Sequence, residues 1–252
     1  MNKKAFHLGV SSAELAGADT AILPGDPGRV PKIAAYLSNA KKIAYHREFH
    51  IMLGYLGEKA IVICSTGIGG PSTAIAIEEL AMLGVKKFLR IGTTGAIQPY
   101  IKPGELIIST GAVRMDGASH HIAPTEFPAV ADYRMVESLV QAAKAESINY
   151  HTGVTASSDT FYQGQNRKDS YRNGFVIKQF KEKISELENL NVLSFEMEAA
   201  TVLTQTAAYG LRGACILGVL INRHDKETPE GKVLDDVQQD SIAVAIRSLS
   251  TY

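Results

Sequence analysis

The stretch Lys87-Phe-Leu-Arg-Ile-Gly-Thr-Thr-Gly95 joins an apolar run to a polar, glycine-containing end. Phe88, Leu89 and Ile91 predict a buried strand that carries Arg90 at its end. In an open α/β sheet, ligands bind beyond the carboxyl ends of the strands, and arginine can hold two phosphate oxygens through its planar guanidinium. The alternative is a strand capped by an ordinary turn, and this stretch alone does not decide between the two interpretations.

The residues after Ile91 fit the ligand interpretation. Gly92 and Gly95 allow the backbone to approach a ligand closely. Thr93 and Thr94 add hydroxyl donors, and their N–H groups can form an anion-binding concavity. This end of the strand is therefore a candidate anion pocket.

The composition predicts a folded domain without an extended surface of one charge. The chain has 252 residues and no segment that resembles a linker, so one domain over residues 1–252 is expected. Lys and Arg together number 26, as do Asp and Glu, which argues against a nucleic-acid surface. No apolar run approaches the roughly 20 residues that span a bilayer. Cys64 and Cys215 lie in apolar contexts typical of buried thiols, so we expect no disulfide framework and a cytoplasmic location.

Two earlier segments combine a strand, a glycine-rich turn and a helix. Residues 20–23 lead into Pro24-Gly-Asp-Pro-Gly-Arg29 and a helical pattern over 30–37, which places Gly25 and Arg29 near a helix N-terminus that favours anions. Ser65-Thr-Gly-Ile-Gly-Gly-Pro-Ser72 precedes a helical pattern over 73–83, but it lacks the Gly-Lys-Ser/Thr of a P-loop. Taken alone, an ordinary Pro/Gly turn is the simpler interpretation of the first segment.

The intervening segments predict a mixed sheet. Residues 41–63 are expected to form a hairpin around 57–59, residues 105–115 a strand and residues 132–146 a helix. Residues 119–126 are predicted to be a surface loop or a subunit contact. Their two histidines and one glutamate do not have the support of further ligands at metal-like spacing.

A candidate base-binding loop follows the strand predicted at 150–158. Phe161 offers a flat apolar face, and Gln165 and Arg167 should point the same way if the loop is extended. A planar heterocycle with carbonyl groups would suit this combination of side chains. Polar residues on a solvated loop are the alternative.

Two carboxylates occur where a predicted strand enters the alanine-rich helix 199–209. Glu196 and Glu198 project to one side if the strand continues through them. Acids at a helix start also complement the helix dipole, but an apolar strand that leads into paired glutamates favours a functional role. Residues 219–225 then predict the last core strand and a polar loop with Arg223, and residues 235–249 a closing amphipathic helix.

Six motifs, in order along essentially the whole chain, resemble the bacterial uridine phosphorylases of the hexameric nucleoside phosphorylase family. They are Gly25-Asp-Pro-Gly-Arg29, Ser65-Thr-Gly-Ile-Gly-Gly-Pro71, Arg90-Ile-Gly-Thr-Thr-Gly95, Ser157-Ser-Asp-Thr-Phe161, Gln165-Asn-Arg167 and Phe195-Glu-Met-Glu198. The resemblance implies an α/β fold in which a mixed sheet forms a distorted barrel flanked by helices. It also implies a homohexamer built as a trimer of dimers with shared active sites.

The resemblance implies a role for each candidate site residue. Phosphate would contact Gly25, Arg29, Arg90 and Thr93, joined by Arg47 from a neighbouring subunit. Ribose would contact Met197, Glu198 and a neighbouring subunit's copy of His7. The base would contact Thr94, Gly95, Phe161, Gln165 and Arg167, with Glu196 orienting Arg167. The catalytic roles would fall to Arg90, Arg167, Glu198 and Arg223.

The implied reaction is the reversible, phosphate-dependent cleavage of uridine to uracil and ribose 1-phosphate, in pyrimidine nucleoside salvage. Inorganic phosphate would be the co-substrate, and no organic cofactor would be required. Glu48, the Ile68 carbonyl and Ser72 match positions at which relatives bind potassium between subunits.

Three alternatives remain at this point. Related purine enzymes share the phosphate and ribose motifs, but they place a Ser-Asp motif after the last core strand, where this chain has Asn222-Arg223 and then Asp225. A hydrolase of the same fold would not need three arginines around one anion. A non-enzymatic sensor would not need the full set of base and ribose residues.

Overall fold

Ten strands and eight helices occur in the part of the chain that the computed structural model describes, residues 4–225, 228 and 233–251. The strands are β1 (Thr20–Pro24), β2 (Ser38–His46), β3 (Phe49–Leu56), β4 (Lys59–Cys64), β5 (Lys87–Ala96), β6 (Leu106–Met115), β7 (Ala129–Val130), β8 (Tyr150–Ser158), β9 (Ser194–Glu196) and β10 (Arg212–Asn222). The helices are α1 (Arg29–Ala34), α2 (Gly70–Met82), α3 (Ala118–Ile122), α4 (Tyr133–Ala145), α5 (Lys178–Lys181), α6 (Lys183–Asn189), α7 (Ala199–Ala208) and α8 (Val233–Thr251).

Strand β5 is the centre of the sheet. It pairs in parallel with β10 on one side, and on the other side it pairs first with β1 and then, at Gly95 and Ala96, with β9. Strands β10, β6, β8 and β9 complete a closed ring of five strands with β5, and β1, β4, β3 and β2 extend the sheet beyond this ring. The predicted mixed sheet and distorted barrel are confirmed.

Alternation along β5 determines where Arg90 lies. Phe88 packs in an apolar cluster with residues of α2 and α7, whereas Leu89 and Ile91 pack in a second cluster with residues of α1, α4 and α8. Because successive strand residues point to opposite faces, Arg90 shares the face of Phe88. Its side chain is therefore directed toward the layer that contains α2 and α7.

Two predicted elements differ in kind from those observed. Residues 41–63 form three antiparallel strands rather than one hairpin, because a turn at Arg47 and Glu48 separates β2 from β3. Residues 118–122, expected within a loop, form the short helix α3.

The start of one helix and the end of one strand also differ from the predicted positions. Helix α2 begins at Gly70 instead of residue 73, since its Pro71 lies in the first turn, where a missing N–H costs nothing. Strand β9 ends at Glu196, so Glu198 is the residue before α7 and not a strand residue. Helices α5 and α6 lie in a stretch for which the sequence predicted no element.

Cys64 and Cys215 are buried, as their apolar contexts predicted. Among the described residues, none of the helices has both the length and the apolar character needed to cross a membrane.

Candidate active site

A cavity of about 460 Å³ opens where the carboxyl ends of the strands meet. This volume lies within the range of small-molecule sites. The cavity is lined by Gly25, Asp26, Pro27, Arg29, Gly67, Ile68, Arg90, Thr93, Thr94, Gly95, Phe161, Gln165, Arg167, Phe195, Glu196, Met197, Glu198, Leu220 and Ile221. Every residue predicted to contact phosphate, ribose or base is in this set except His7 and Arg47.

Arg90 and the two glutamates form one buried cluster in the cavity wall. Nη2 of Arg90 donates to Oε2 of Glu198 in a very short bond, and Nε of Arg90 donates to Oε2 of Glu196 at 3.2 Å. All three side chains are at most 6% exposed. Strand β5 supplies the arginine and the β9–α7 junction supplies both carboxylates, so sheet pairing between β5 and β9 brings the cluster together.

The charges of this cluster perturb one another. Burial by itself lowers the pKa of Arg90, but Glu198 and Glu196 outweigh that effect and raise the pKa above its ordinary value. Burial raises the pKa of Glu198, and Arg90 offsets this only in part. Burial and the neighbouring Arg90 cation lower the pKa of Arg29. Burial, more than the neighbouring cation, therefore disfavours the charge of Arg29, and a bound anion would stabilise that charge.

Arg29 and Arg90 each carry a guanidinium donor that no described residue satisfies. In the described part of the chain, Nε of Arg29 and Nη1 of Arg90 are buried without an acceptor. Leaving a buried donor unsatisfied costs about 1–3 kcal/mol, and more for a charged group. Both atoms belong to cations next to a cavity, so an oxyanion is the ligand that would satisfy them.

Because Gly92 has no side chain, the Arg90 guanidinium can occupy the space beside it. A Cβ at Gly92 would lie 2.8 Å from Nη2 of Arg90 and 2.8 Å from Cδ2 of Leu217. Contacts this short would displace the guanidinium or the leucine. Side-chain packing around Arg90 therefore requires glycine at position 92.

Glu196 serves the start of helix α7 as well as Arg90. Its carboxylate accepts from the N–H groups of Glu198 and Ala199 at 2.8–3.0 Å and from the Ser157 hydroxyl in a very short bond. The sequence predicted that Glu196 orients Arg167, but the contacts described for its carboxylate are these and the bonds to Arg90. Glu196 thus satisfies N–H groups at the start of α7 and also forms an ion pair with Arg90 in the site.

Glu198 is also fixed by the glycine-rich turn before α2. The N–H of Gly69 donates to Oε1 of Glu198 at 2.6 Å. Gly69 has a φ of +97° and Gly67 a φ of +71°, conformations that favour glycine. The backbone conformation of this turn therefore explains why glycine occurs at both positions, and no phosphate-binding loop is needed to account for them.

The other end of the cavity is formed by the loop after β8. The guanidinium carbon of Arg167 lies 3.9 Å from the centre of the Phe161 ring, and Gln165 is 3% exposed. The loop is not extended as predicted, since residues 161–166 form turns and Asn166 has a φ of +49°. Gln165 and Arg167 nevertheless both line the cavity, because the turn at Asn166 rotates the chain between them.

Arg223 lies behind this loop and does not line the cavity. Its Nη1 donates to the Gln165 carbonyl at 2.5 Å, and its own N–H donates to the Ala96 carbonyl at 2.9 Å. Asn222 donates through its side-chain amide to the carbonyls of Gln98 and Ile101. Arg223 therefore connects the end of β10 to the loop after β8.

His7 and Arg47 lie outside the cavity of their own chain. Arg47 is exposed in the β2–β3 turn with a φ of +56°, a conformation that costs of order 1 kcal/mol for a residue with a side chain. His7 contacts Glu79 on α2, with Nδ1 2.7 Å from Oε1. Backbone strain of this kind is often retained at functional positions.

The residues predicted to hold potassium converge around Gly67. A Cβ at Gly67 would lie 3.0 Å from Cγ of Glu48 and 3.5 Å from Oγ of Ser72, and Ile68 is the next residue in the chain. The hydroxyl of Ser72 donates to the Gly69 carbonyl at 3.4 Å. A carboxylate, a hydroxyl and a carbonyl are hard oxygen donors, which suit a hard cation.

Sequence reasoning did not assign several residues of the cavity wall. Asp26, Pro27, Gly67, Phe195, Leu220 and Ile221 line it but were given no role. Oδ1 of Asp26 accepts from the Gly28 N–H at 2.8 Å, a local turn that its Asp-Pro-Gly context could have indicated. Leu220 and Ile221 have the sequence context of ordinary core residues. Only their location near the carboxyl end of β10 could have indicated that they line the cavity.

Comparison with known proteins identifies relatives over almost the whole chain. The model of the phosphorylase superfamily matches residues 19–250. The uridine phosphorylase of Salmonella typhimurium is 50% identical over 96% of both chains, and that of Escherichia coli is 49% identical over the same shares. The uridine phosphorylase of Haemophilus influenzae is 48% identical over 96% of this chain and 95% of its own. The chain belongs to the phosphorylase superfamily and, within it, to the group of bacterial uridine phosphorylases.

Proposed function

We propose that the protein is a uridine phosphorylase, a pentosyltransferase that converts uridine and inorganic phosphate into uracil and ribose 1-phosphate. The observation that carries this proposal is the pair of unsatisfied guanidinium donors of Arg29 and Arg90, in the same cavity as Gln165 and Arg167. An oxyanion would satisfy the free donors of Arg29 and Arg90. Gln165 and Arg167 offer hydrogen-bond donors and an acceptor to a heterocycle. The names of the relatives support uridine as the nucleoside.

Phosphate would occupy the end of the cavity lined by Gly25, Arg29, Arg90 and Thr93. Each arginine can offer its free N–H together with neighbouring donors, and Thr93 can add a hydroxyl. Glu196 and Glu198 hold Arg90 in place before the anion arrives, so little reorganisation is needed on binding.

Ribose would lie over Met197, with its hydroxyl groups donating to Glu198. One carboxylate oxygen already accepts from Gly69 and the other from Arg90. A carboxylate has about four acceptor sites, so two remain for neighbouring hydroxyl groups. The 2′- and 3′-hydroxyls are the adjacent pair on the sugar.

The bond change follows from these positions. As the C1′–N1 bond lengthens, its electron pair moves to uracil and positive charge develops on the sugar, as in glycoside hydrolysis. A phosphate oxygen then bonds to C1′ from the opposite face, with inversion. Gln165 and Arg167 would stabilise the anionic base, and one fixed donor aimed at developing charge is typically worth about 3 kcal/mol.

The residues at and after the end of β10 favour a pyrimidine over a purine. Purine leaving groups benefit from an acid near N7, but Asn222 uses its amide to hold the carbonyls of Gln98 and Ile101. Asp225 lies in an exposed turn after β10. Arg223 holds the Gln165 carbonyl, so it would act by fixing the base-binding loop.

The proposal includes an assembly in which cavities are shared. His7 and Arg47 would complete the site of a second protomer, in a dimer that forms part of a homohexamer. The arrangement is supported by their placement outside their own cavity. The enzyme would work in the cytoplasm, in nucleoside catabolism and pyrimidine salvage.

A structural potassium ion would be held by Glu48, the Ile68 carbonyl and Ser72, with further ligands from a second protomer. The convergence of these residues around Gly67 supports the fit. The ion would fix the turn that carries Gly69 and so the position of Glu198. No organic cofactor is required for the bond change.

The proposal is tested by assaying uridine, thymidine and inosine with and without phosphate. We expect uracil release from uridine that depends on phosphate, and little turnover of inosine. Equal release without phosphate would indicate a hydrolase, efficient cleavage of inosine would indicate a purine enzyme, and no turnover would favour a sensor.

A further inference from the structure

Glu79 is a buried carboxylate to which the proposed reaction gives no role. It lies on α2, is 8% exposed and faces the N-terminal segment. Acidic side chains are almost never this buried unless their oxygens are hydrogen-bonded or paired. Its partners therefore indicate what it holds in place.

The hydrogen bonds described for Glu79 come from two consecutive residues. The backbone N–H of His7 donates to both carboxylate oxygens at 3.0 Å, and the N–H of Leu8 donates to Oε2 at 2.9 Å. Burial raises the pKa of Glu79, but the bonds from His7 and Leu8 outweigh it and lower the pKa below its ordinary value. The carboxylate is thus ionised near neutral pH and can only accept.

This arrangement determines which nitrogen of His7 carries the proton. Nδ1 lies 2.7 Å from Oε1 of Glu79, and an ionised carboxylate has no proton to donate, so Nδ1 is the donor. In the neutral ring the lone pair is then on Nε2. The side chain is 32% exposed, so Nε2 is the acceptor that it can offer to a second molecule.

A further bond joins His7 to the turn that carries Arg47. Nδ1 of His46 donates to the His7 carbonyl at 2.7 Å, and Arg47 is the next residue. Glu79 therefore anchors His7 directly, and the turn that carries Arg47 is linked to it through the bond between His46 and the His7 carbonyl.

We infer that Glu79 is a positioning residue, which fixes the Nδ1–H tautomer and the orientation of His7 so that Nε2 accepts from the ribose 5′-hydroxyl in a second protomer's cavity. This inference rests on the proposed function. The 5′-hydroxyl is the one left over when the adjacent 2′- and 3′-hydroxyls bind Glu198.

The test compares uridine with 5′-deoxyuridine, in the wild type, Glu79→Gln and the control Glu78→Gln. Glu78 is the exposed neighbour on α2 and bonds to Tyr209 at 2.6 Å instead. We expect Glu79→Gln to lower kcat/KM for uridine by about tenfold, mainly through KM, because one hydrogen bond to the sugar is misplaced. Turnover of 5′-deoxyuridine should change less than about twofold. An equal loss on both substrates would overturn the inference, since it would indicate a purely structural role.

Two measurements keep the inference testable if Glu79→Gln proves unstable. In wild-type protein, ¹⁵N NMR at a pH where His7 is neutral should show the Nδ1–H tautomer, and an Nε2–H tautomer would overturn the inference. In a His7→Ala background, Glu79→Gln should cause no further loss on uridine, whereas an additive loss would contradict it. If the wild type cleaved neither nucleoside, the proposed function would fail, while the NMR result would still decide whether Glu79 sets the tautomer.

Discussion

The cavity wall and the outer surface around His7 and Arg47 were assigned to one reaction, yet they are built differently. In the wall, Arg90 and Glu198 are 4% and 5% exposed and fixed by each other. At the outer surface, Arg47 is exposed in a strained turn, and His7 is anchored by α2 with its ring partly open. The difference indicates that one chain supplies a preorganised pocket. In the proposed assembly, a second protomer would supply the two remaining contacts.

The largest expected effect comes from the wall. Arg90→Ala should lower kcat/KM by about 10²–10³-fold, because it removes a preorganised donor to phosphate. The loss should appear chiefly as weaker use of phosphate, measured by varying phosphate at saturating uridine. Arg134→Ala, an exposed arginine on α4, is the control. A normal phosphate KM and kcat in Arg90→Ala would contradict the assignment of the wall.

A second change tests the base end of the same wall. Arg167→Ala should lower kcat/KM for uridine by about 10–100-fold and narrow the preference for uridine over cytidine. The amino group of cytidine would face the N–H donors of Arg167, and two opposed donors cost about 1–3 kcal/mol of binding free energy in the wild type. This penalty disappears when the arginine side chain is removed. Steady-state kinetics with both nucleosides decide the matter. An unchanged preference would remove Arg167 from base recognition.

A smaller effect is expected where the wall is shaped by packing. Gly92→Ala should lower kcat/KM by about tenfold and the free energy of unfolding by about 1–3 kcal/mol, because the added methyl displaces the Arg90 guanidinium or Leu217. Denaturant unfolding and phosphate kinetics measure the two effects. Wild-type kinetics in a folded Gly92→Ala variant would show that the position of Arg90 is not critical.

The smallest expected signal concerns the outer surface. When Arg47→Ala and Arg90→Ala chains are mixed, one of the two sites in each mixed dimer receives both wild-type arginines, so about a quarter of all sites should recover. Activity is measured after subunit exchange has been shown with differently tagged chains. Activity no greater than that of the parents would contradict a shared site.

How much of this could be predicted from the sequence depended on which element carried each residue. Arg90 was predictable because it lies within an apolar strand, and the position of a strand end in the sheet follows from the fold. Glu196 and Glu198 were located correctly, but the pairing of Glu196 with Arg90 depends on the β5–β9 contact, which no local pattern shows. The bonds from His7 to Glu79 join residues 72 positions apart and depend on how the N-terminal segment packs on α2.

The loop after β8 shows the opposite limit. Phe161, Gln165 and Arg167 were chosen correctly as residues of the cavity wall, although the assumed extended conformation was wrong. The motif was informative through its side-chain chemistry, whereas the turn at Asn166 depends on a left-handed residue that many sequences could supply. Side-chain chemistry was thus easier to predict here than backbone conformation.

The central claim is that the protein transfers the ribosyl group of uridine to inorganic phosphate in this cavity. It is tested most directly by ³¹P NMR of a reaction that contains uridine, inorganic phosphate and the wild-type protein. The account predicts a growing resonance of ribose 1-phosphate, equal in amount to the uracil released. Release of uracil with free ribose and unchanged inorganic phosphate would contradict it.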